Sequence, residues 1–468
     1  MKLRHFFIAA ALAGCLTAQG AKPRYIFLCI GDGMGPGPVM AAQNYLRLAS
    51  STPDATLNML AMPVSSRAQS WSASSPVTDS AAAGTALSTG SKTRNGMLGM
   101  NADTVSVTSI ARQLKDEGYG IGIVTNCAAD DATPGAFYAH VPNRSMYYEI
   151  GRDAASAGYD FLAGAHMRGV TDKKGDSTDL YAVIEQSGIK ILHGAKGAEN
   201  VYSTTSDKIL LINPDGYGDS NEMGYAIDGA DADTVGLSLA MATKACLYHL
   251  ERNSPDKYFV MIEDGLIDHS LHGNDGGTAI AQILSFDRVI GQALEVYARH
   301  PEETLIIVTA DHDTGGLTNG CKATGYNAYY QNVNSQKISK GAFSDMCTSM
   351  LKNDTDITWP QMQGILAEKL GIGTSVKISE EQQRRLEDAF RETFMERTAK
   401  DEKGLYKVSN AFAATVFNVF NDATGLGFTT PNHTGNFVPV FAIGAGADRF
   451  TGTLNNTDIP RIIRELTK

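Results

Sequence analysis

YIFLCIGDGMG, residues 25–35, decides the fold. From Tyr25 to Ile30 the residues are apolar without a polar alternation. A strand open to water on one face alternates with a period of two, so an unbroken run indicates a strand covered on both faces. The run ends at Asp32, set between glycines that favour a turn. Similar runs follow at IGIVTN (121–126), YFVMIE (258–263), LIIVTA (305–310) and FVPVFAIG (437–444), and all read as buried parallel strands. Helix-like stretches at 108–117 and 279–300 separate them. Strands and helices in this alternation predict an α/β fold, a three-layer sandwich around a central, mostly parallel sheet.

Outside these runs the chain has two different regions. Residues 145–255 are rich in Gly, Asp and Tyr and read as an excursion, with TDKKGDSTD (171–179) as a solvated loop. Residues 319–429 read as an insertion between two strands. In it, Leu386, Phe390 and Phe394 have helical spacing, and Ser379 with Gln382 forms a capping-box pattern. The N-terminus places Lys2 and Arg4 before a short apolar run and small residues, which is the pattern of a secretory leader over 1–20. Ala18-Gln19-Gly20 offers cleavage before Ala21, leaving 21–468 as the mature chain. Leu12-Ala13-Gly14-Cys15 is a competing signal, in which Cys15 would carry a lipid. The first reading places the protein in the periplasm or outside the cell, and the second anchors it to a membrane. No other stretch is long enough to span a bilayer.

The net charge of −11 argues against nonspecific nucleic-acid binding and gives no general attraction for anions. Any anion site must make its own positive field. Beyond Cys15 there are five cysteines, Cys29, Cys127, Cys246, Cys321 and Cys347, at irregular spacing, which is not a disulfide framework. Cys29 and Cys127 read as small buried hydrophobes, and pairing of Cys321 with Cys347 stays open.

The chemistry lies where the strands end. Asp32 follows the first run; Asp131, Thr133 and Arg144 follow the second; Asp268 and His272 come after Glu263; Asp311 and His312 follow the fourth; His433 precedes the last. In parallel α/β sheets, ligands bind beyond the carboxyl ends of the strands, so these side chains should converge. Singly, each has an ordinary explanation as a turn residue, an ion pair or a core histidine. Together they are the donors that zinc and magnesium take, and four carboxylates cannot share a buried cleft without cations. A further polar pair, Asp79 and Ser80, stands before the small-residue run AAAGTAL. It fits a helix N-cap, and the stretch by itself decides nothing more.

GDGMG, TDSAAAGTAL, DDATPGAFYAHVPNR, EDGLIDHSLH, TADHDTGG and HTGNF occur in one order across nearly the whole mature chain, and together they resemble the alkaline phosphatase family. The resemblance implies hydrolysis of phosphate monoesters of broad specificity through a phosphoserine intermediate, in the service of phosphate scavenging. It implies two zinc ions and one magnesium ion. Asp268, His272 and His433 would hold one zinc; Asp32, Asp311 and His312 the other, beside Ser80; Asp32, Thr133 and Glu263 the magnesium. Ser80 would be the nucleophile, Arg144 the phosphate clamp and Asp79 its orienting partner. Asp131 and His269 fall at positions adjoining the metal ligands that vary within the family, and Asp264 stands where the family has a small residue. A crown-like character for 319–429 and a homodimer are also implied. Arg144, Thr133 and Glu263 argue against a phosphodiesterase or sulfatase of the same superfamily, and Ser80 against a phosphate-binding protein without catalysis.

Overall fold

The structure is a computed structural model and describes residues 22–468 except 50–53, 173–174, 176 and 219–220. The leader over 1–20, the cleavage point before Ala21, Cys15, and Lys173, Lys174 and Asp176 of the polar loop lie outside the described residues.

The middle of the molecule is built from the runs that lack alternation. Tyr25–Gly31 pairs in parallel with Tyr258–Asp264 on one side and Thr304–Thr309 on the other, and Gly120–Thr125 pairs in parallel with Tyr258–Asp264. Every residue of these four strands is buried, which is why none alternates. Each Ile, Val, Leu or Phe so enclosed contributes roughly 1.5–3 kcal/mol. The register brings the carboxyl ends level: Ile30 lies opposite both Glu263 and Thr309, and Thr125 opposite Glu263. The residues that follow these strands therefore leave the sheet along one edge.

The full sheet has ten strands, in the order Thr453–Asn455, Val64–Gln69, Val438–Gly444, Thr304–Thr309, Tyr25–Gly31, Tyr258–Asp264, Gly120–Thr125, Phe161–Ala163, Ile209–Ile212 and Lys190–His193. Helices flank it, giving the expected α/β sandwich around a mostly parallel sheet. Among them, Ile110–Asp116 is capped by Ser109 and Gly276–Arg299 by Asp275. Two expectations are corrected. Val438–Gly444 is antiparallel to both its neighbours, because burial on both faces fixes the apolar run but not its direction. Its amino end consequently lies at the edge where the other strands end, which is where His433 enters. The region 145–255 is no mere excursion, since it supplies three parallel strands of the sheet. They are three or four residues long, too short to show a period.

Helices Lys340–Lys352, Trp359–Leu370, Glu380–Phe390 and Ala411–Thr424 enclose a second apolar cluster, with Phe343, Leu386, Phe390, Phe412 and Phe417 inside. Ser379 and Gln382 form the capping box read from the sequence. All five described cysteines are free thiols, Cys321 half-buried and Cys347 buried, so these two are not paired. Among the described residues no helix is long and apolar enough to cross a membrane.

Candidate functional site

Helix Ser80–Thr89 begins at Asp79, whose side chain accepts from the Ala82 amide. Asp79 is therefore a helix cap, as its residue type suggested. Its other oxygen accepts from the Gly96 amide at 2.9 Å and lies 3.6 Å from an Arg144 nitrogen. Every residue of the helix is buried, and the small side chains permit a close approach. A Cβ on Gly84 would lie 3.2 Å from the Ala136 Cβ and 3.3 Å from the Thr133 Cα. The Ser80 hydroxyl at the N-terminus lies 3.2 Å from His312 Nε2.

Two groups of metal-ligating side chains meet beside Ser80. Asp32, Asp311 and His312 form one, and Asp268, His272 and His433 the other, each with its donor atoms within 4.8 Å of one another. A two-residue ladder, His433–Thr434 against Asp313–Thr314, joins the groups and stacks the His312 and His433 rings at 3.6 Å. Gly33, at φ +67, is required where a Cβ would meet Asp268 Oδ1 at 2.7 Å.

The hydrogen bonds fix the state of the three histidines. His272 Nδ1 donates to the Pro431 carbonyl at 2.5 Å, and His433 Nδ1 to the Thr78 carbonyl at 2.9 Å. The Thr314 hydroxyl donates to Asp268, so its oxygen accepts from His312 Nδ1 at 3.2 Å. In the neutral rings all three Nε2 atoms then carry bare lone pairs. Those of His272 and His433 face each other at 2.9 Å. Asp32 Oδ1, Asp268 Oδ2 and Asp311 Oδ2 are buried without a hydrogen-bond donor. Lone pairs aimed at lone pairs in a dry cleft are unstable unless a cation lies between them, so these residues fit divalent metals.

The acids show the same frustration. Burial raises Asp311 to about 7, with help from the charge of Asp268, and raises Glu263 to about 8. Asp32 is pushed well up by burial and by Asp311 and Asp268. Burial also acts to raise Asp268, but His272 and His433 outweigh it and hold this acid well below its usual range. Glu263 accepts from Thr125 at 2.5 Å and is also held beside Thr133, whose hydroxyl lies 3.5 Å from Asp32, so the oxygen donors expected for magnesium are neighbours.

Arg144 is half-buried among acids. Burial works to lower its pKa, yet Asp131, Tyr406 and Asp79 raise it, so it stays a cation. Its nearer partner is Asp131, at 3.2 Å, rather than Asp79. Asp131 also lies 3.6 Å from Arg168.

The alkaline phosphatase family model matches residues 23–170 and 165–468, which is nearly the entire described chain. The chain belongs to the alkaline phosphatase family. It is accordingly a metal-binding hydrolase of phosphoric monoesters. Alkaline phosphatase 4 of Bacillus subtilis is 28% identical over 460 residues, covering 96% of this chain and 89% of that protein. The cold-active alkaline phosphatase of a psychrophilic Shewanella species superposes with a TM-score of 0.78 at 25% identity, over 95% of this chain and all of the other. Thermus thermophilus alkaline phosphatase shares the fold, with a TM-score of 0.76 at 24% identity over 96% of this chain and 92% of that one.

Within this family frame, several residues at the site were missed in the sequence. Arg168 follows Phe161–Ala163, and the strand-end rule selects it once that short strand is seen. Glu222 accepts from His269 Nδ1 at 2.6 Å, and the Tyr406 ring lies tilted against His269 with centroids 3.7 Å apart. Neither carries a local signal. Asp264, singled out as a departure from the family, is turned into an amide pocket instead. It accepts from Asn126 at 2.7 Å and from Gln282 at 2.8 Å, and burial raises it to about 7. A cleft of about 720 Å³, bordered by Arg168, Glu222, His269, His272, Lys340 and Tyr406, leads to the site.

Proposed function

We propose that the chain hydrolyses phosphate monoesters through a phosphoserine at Ser80. The observation that carries this is the Ser80 hydroxyl at a helix N-terminus, 3.2 Å from a donor atom of the Asp32, Asp311 and His312 group. Asp268, His272 and His433 would hold one zinc ion, Asp32, Asp311 and His312 a second, and Asp32, Thr133 and Glu263 a magnesium ion. When bound, these cations stabilise the charge on the attacking and leaving oxygens and favour the ionised serine and water. The four metal-binding carboxylates carry −4 and three dications +6, so the loaded site attracts a phosphate dianion despite the acidic chain.

Arg144 is held as a cation on the same side and presents a planar fork to two phosphoryl oxygens, with Asp131 and Asp79 fixing its plane. The first amides of helix Ser80–Thr89 add a favourable field for the anion. Ser80 Oγ attacks phosphorus, the alcohol leaves from the opposite side, and water then attacks the phosphoserine to release phosphate. Broad specificity and a scavenging role fit the open cleft. The basic, apolar leader supports work in the periplasm or outside the cell, with Cys15 lipidation the alternative. A homodimer with 319–429 as a crown belongs to the same reading.

Metal analysis of the purified protein, with initial rates on an aryl phosphate and on the matching diester, tests it. Close to two zinc and one magnesium per chain and a strong preference for the monoester are expected. A preference for the diester would overturn it.

A further inference from the structure

We propose that Cys127, Asp131 and His269 form a cation site of their own, suited to a soft divalent ion such as zinc. Their donor atoms lie within 4.8 Å of one another, and the residues are only 3%, 6% and 9% exposed. The set shares no residue with Asp32, Thr133 and Glu263, although Glu263 adjoins it, and it differs from them in chemistry. Magnesium takes hard oxygen donors, whereas a thiolate with an imidazole selects zinc.

Several features make this a built site rather than a chance meeting. Cys127 leaves the sheet directly after Gly120–Thr125, at the edge where the other ligands emerge. His269 Nδ1 donates to Glu222 at 2.6 Å, so its proton is placed on the far side and Nε2 is left bare toward Cys127 and Asp131. A carboxylate behind an imidazole is the usual way of orienting a ligating histidine. The Cys127 Sγ to His269 Nε2 distance is 3.9 Å. Zinc with tetrahedral bonds of about 2.3 Å to sulfur and about 2.0 Å to nitrogen would set these atoms roughly 3.6 Å apart. Asp131 keeps lone pairs for an ion beside its contacts with Arg144 and Arg168. The Tyr406 ring lies against His269, its centroid 3.7 Å away and its plane tilted by 32°. On binding, the thiol releases its proton and a sulfur–metal bond takes its place, one proton leaving for each ion.

The test uses cobalt as the probe. Metal-free protein is titrated with cobalt(II), and the near-ultraviolet band that arises from thiolate-to-cobalt charge transfer is followed. Oxygen and imidazole donors give no such band. The band should grow in the wild type and be absent in Cys127→Ser and Cys127→Ala. With zinc in excess the wild type should hold one equivalent beyond the two zinc ions and one magnesium ion of the Ser80 site, and Cys127→Ser should lack that extra equivalent. A fully loaded wild type without the band would overturn the proposal, and so would a band that survives in Cys127→Ser. The wild-type spectrum needs no variant to fold. Because hydrolysis is not the readout, either outcome leaves the Ser80 chemistry to be judged separately.

Discussion

Ser80 and Arg144 have different tasks, and removing each should leave a different signature. Ser80→Ala removes the attacking atom but none of the buried carboxylates or histidines. The variant is expected to retain its metals and lose roughly a thousandfold or more in kcat, as when a nucleophile is deleted elsewhere. Metal content and kcat measured on the same preparation check this; loss of metal along with activity would make Ser80 a structural residue. Arg144→Ala removes a bidentate, charge-assisted contact worth about 1.5–3 kcal/mol, so kcat/KM for a monoester should fall about ten- to a hundredfold. The diester, with less charge on its free oxygens, should lose less, and the inhibition constant for phosphate should rise. Equal losses on both substrates with unchanged phosphate inhibition would remove Arg144 from the role of clamp. Ser80 was legible because it stands at a helix start, and Arg144 because it closes the motif DDATPGAFYAHVPNR that follows a buried strand. Tyr406 and Glu222 were not, because loops distant in sequence carry them to His269.

Helix Ser80–Thr89 reaches its place only because it is thin. The Gly84 Cα faces the turn that carries Thr133, and a Cβ there would already lie 3.3 Å from the Thr133 Cα. Gly84→Val should therefore force the helix away from residues 132–135 at a cost of about 1–3 kcal/mol. Thermal unfolding should show a lower midpoint, and magnesium content should fall, since Thr133 moves; an unchanged midpoint would mean that the contact is slack. The small-residue run visible in the sequence is what permits this packing. Strand direction was less legible. Val438–Gly444 has the same apolar character as its parallel neighbours, and reversal leaves no mark on a run buried on both faces. The strands Phe161–Ala163, Lys190–His193 and Ile209–Ile212 were missed because three or four residues cannot display a period.

The metal-free and metal-loaded protein should respond to pH in opposite ways. Glu263 and Asp311, raised mainly by burial to about 8 and about 7 from 4.5 and 3.8, bind protons more tightly when folded than when unfolded. Their contribution favours the folded state at acid pH and is lost as pH rises from about 4 to about 8. His272 adds the same sign, because Asp268 raises it despite burial. Asp268, held low by the histidines, has the opposite sign but acts only below the usual carboxylate range, whereas His312 and His433, lowered chiefly by burial, have the opposite sign up to the ordinary histidine value of 6.5. Chelated protein should thus have a melting temperature that falls between about pH 6.5 and about pH 8, while zinc and magnesium, which require ionised ligands, should abolish or reverse that fall. Parallel slopes with and without metal would show that the acids are not the metal ligands. All of this supports one central claim, that phosphate passes through a covalent bond to Ser80. Its most direct measurement is an acid quench of the working enzyme with radiolabelled phosphate, followed by proteolysis and peptide mapping. The label is expected on the peptide containing Ser80 and nowhere else, and to be absent from Ser80→Ala; label on another residue, or none in the active wild type, would contradict the mechanism.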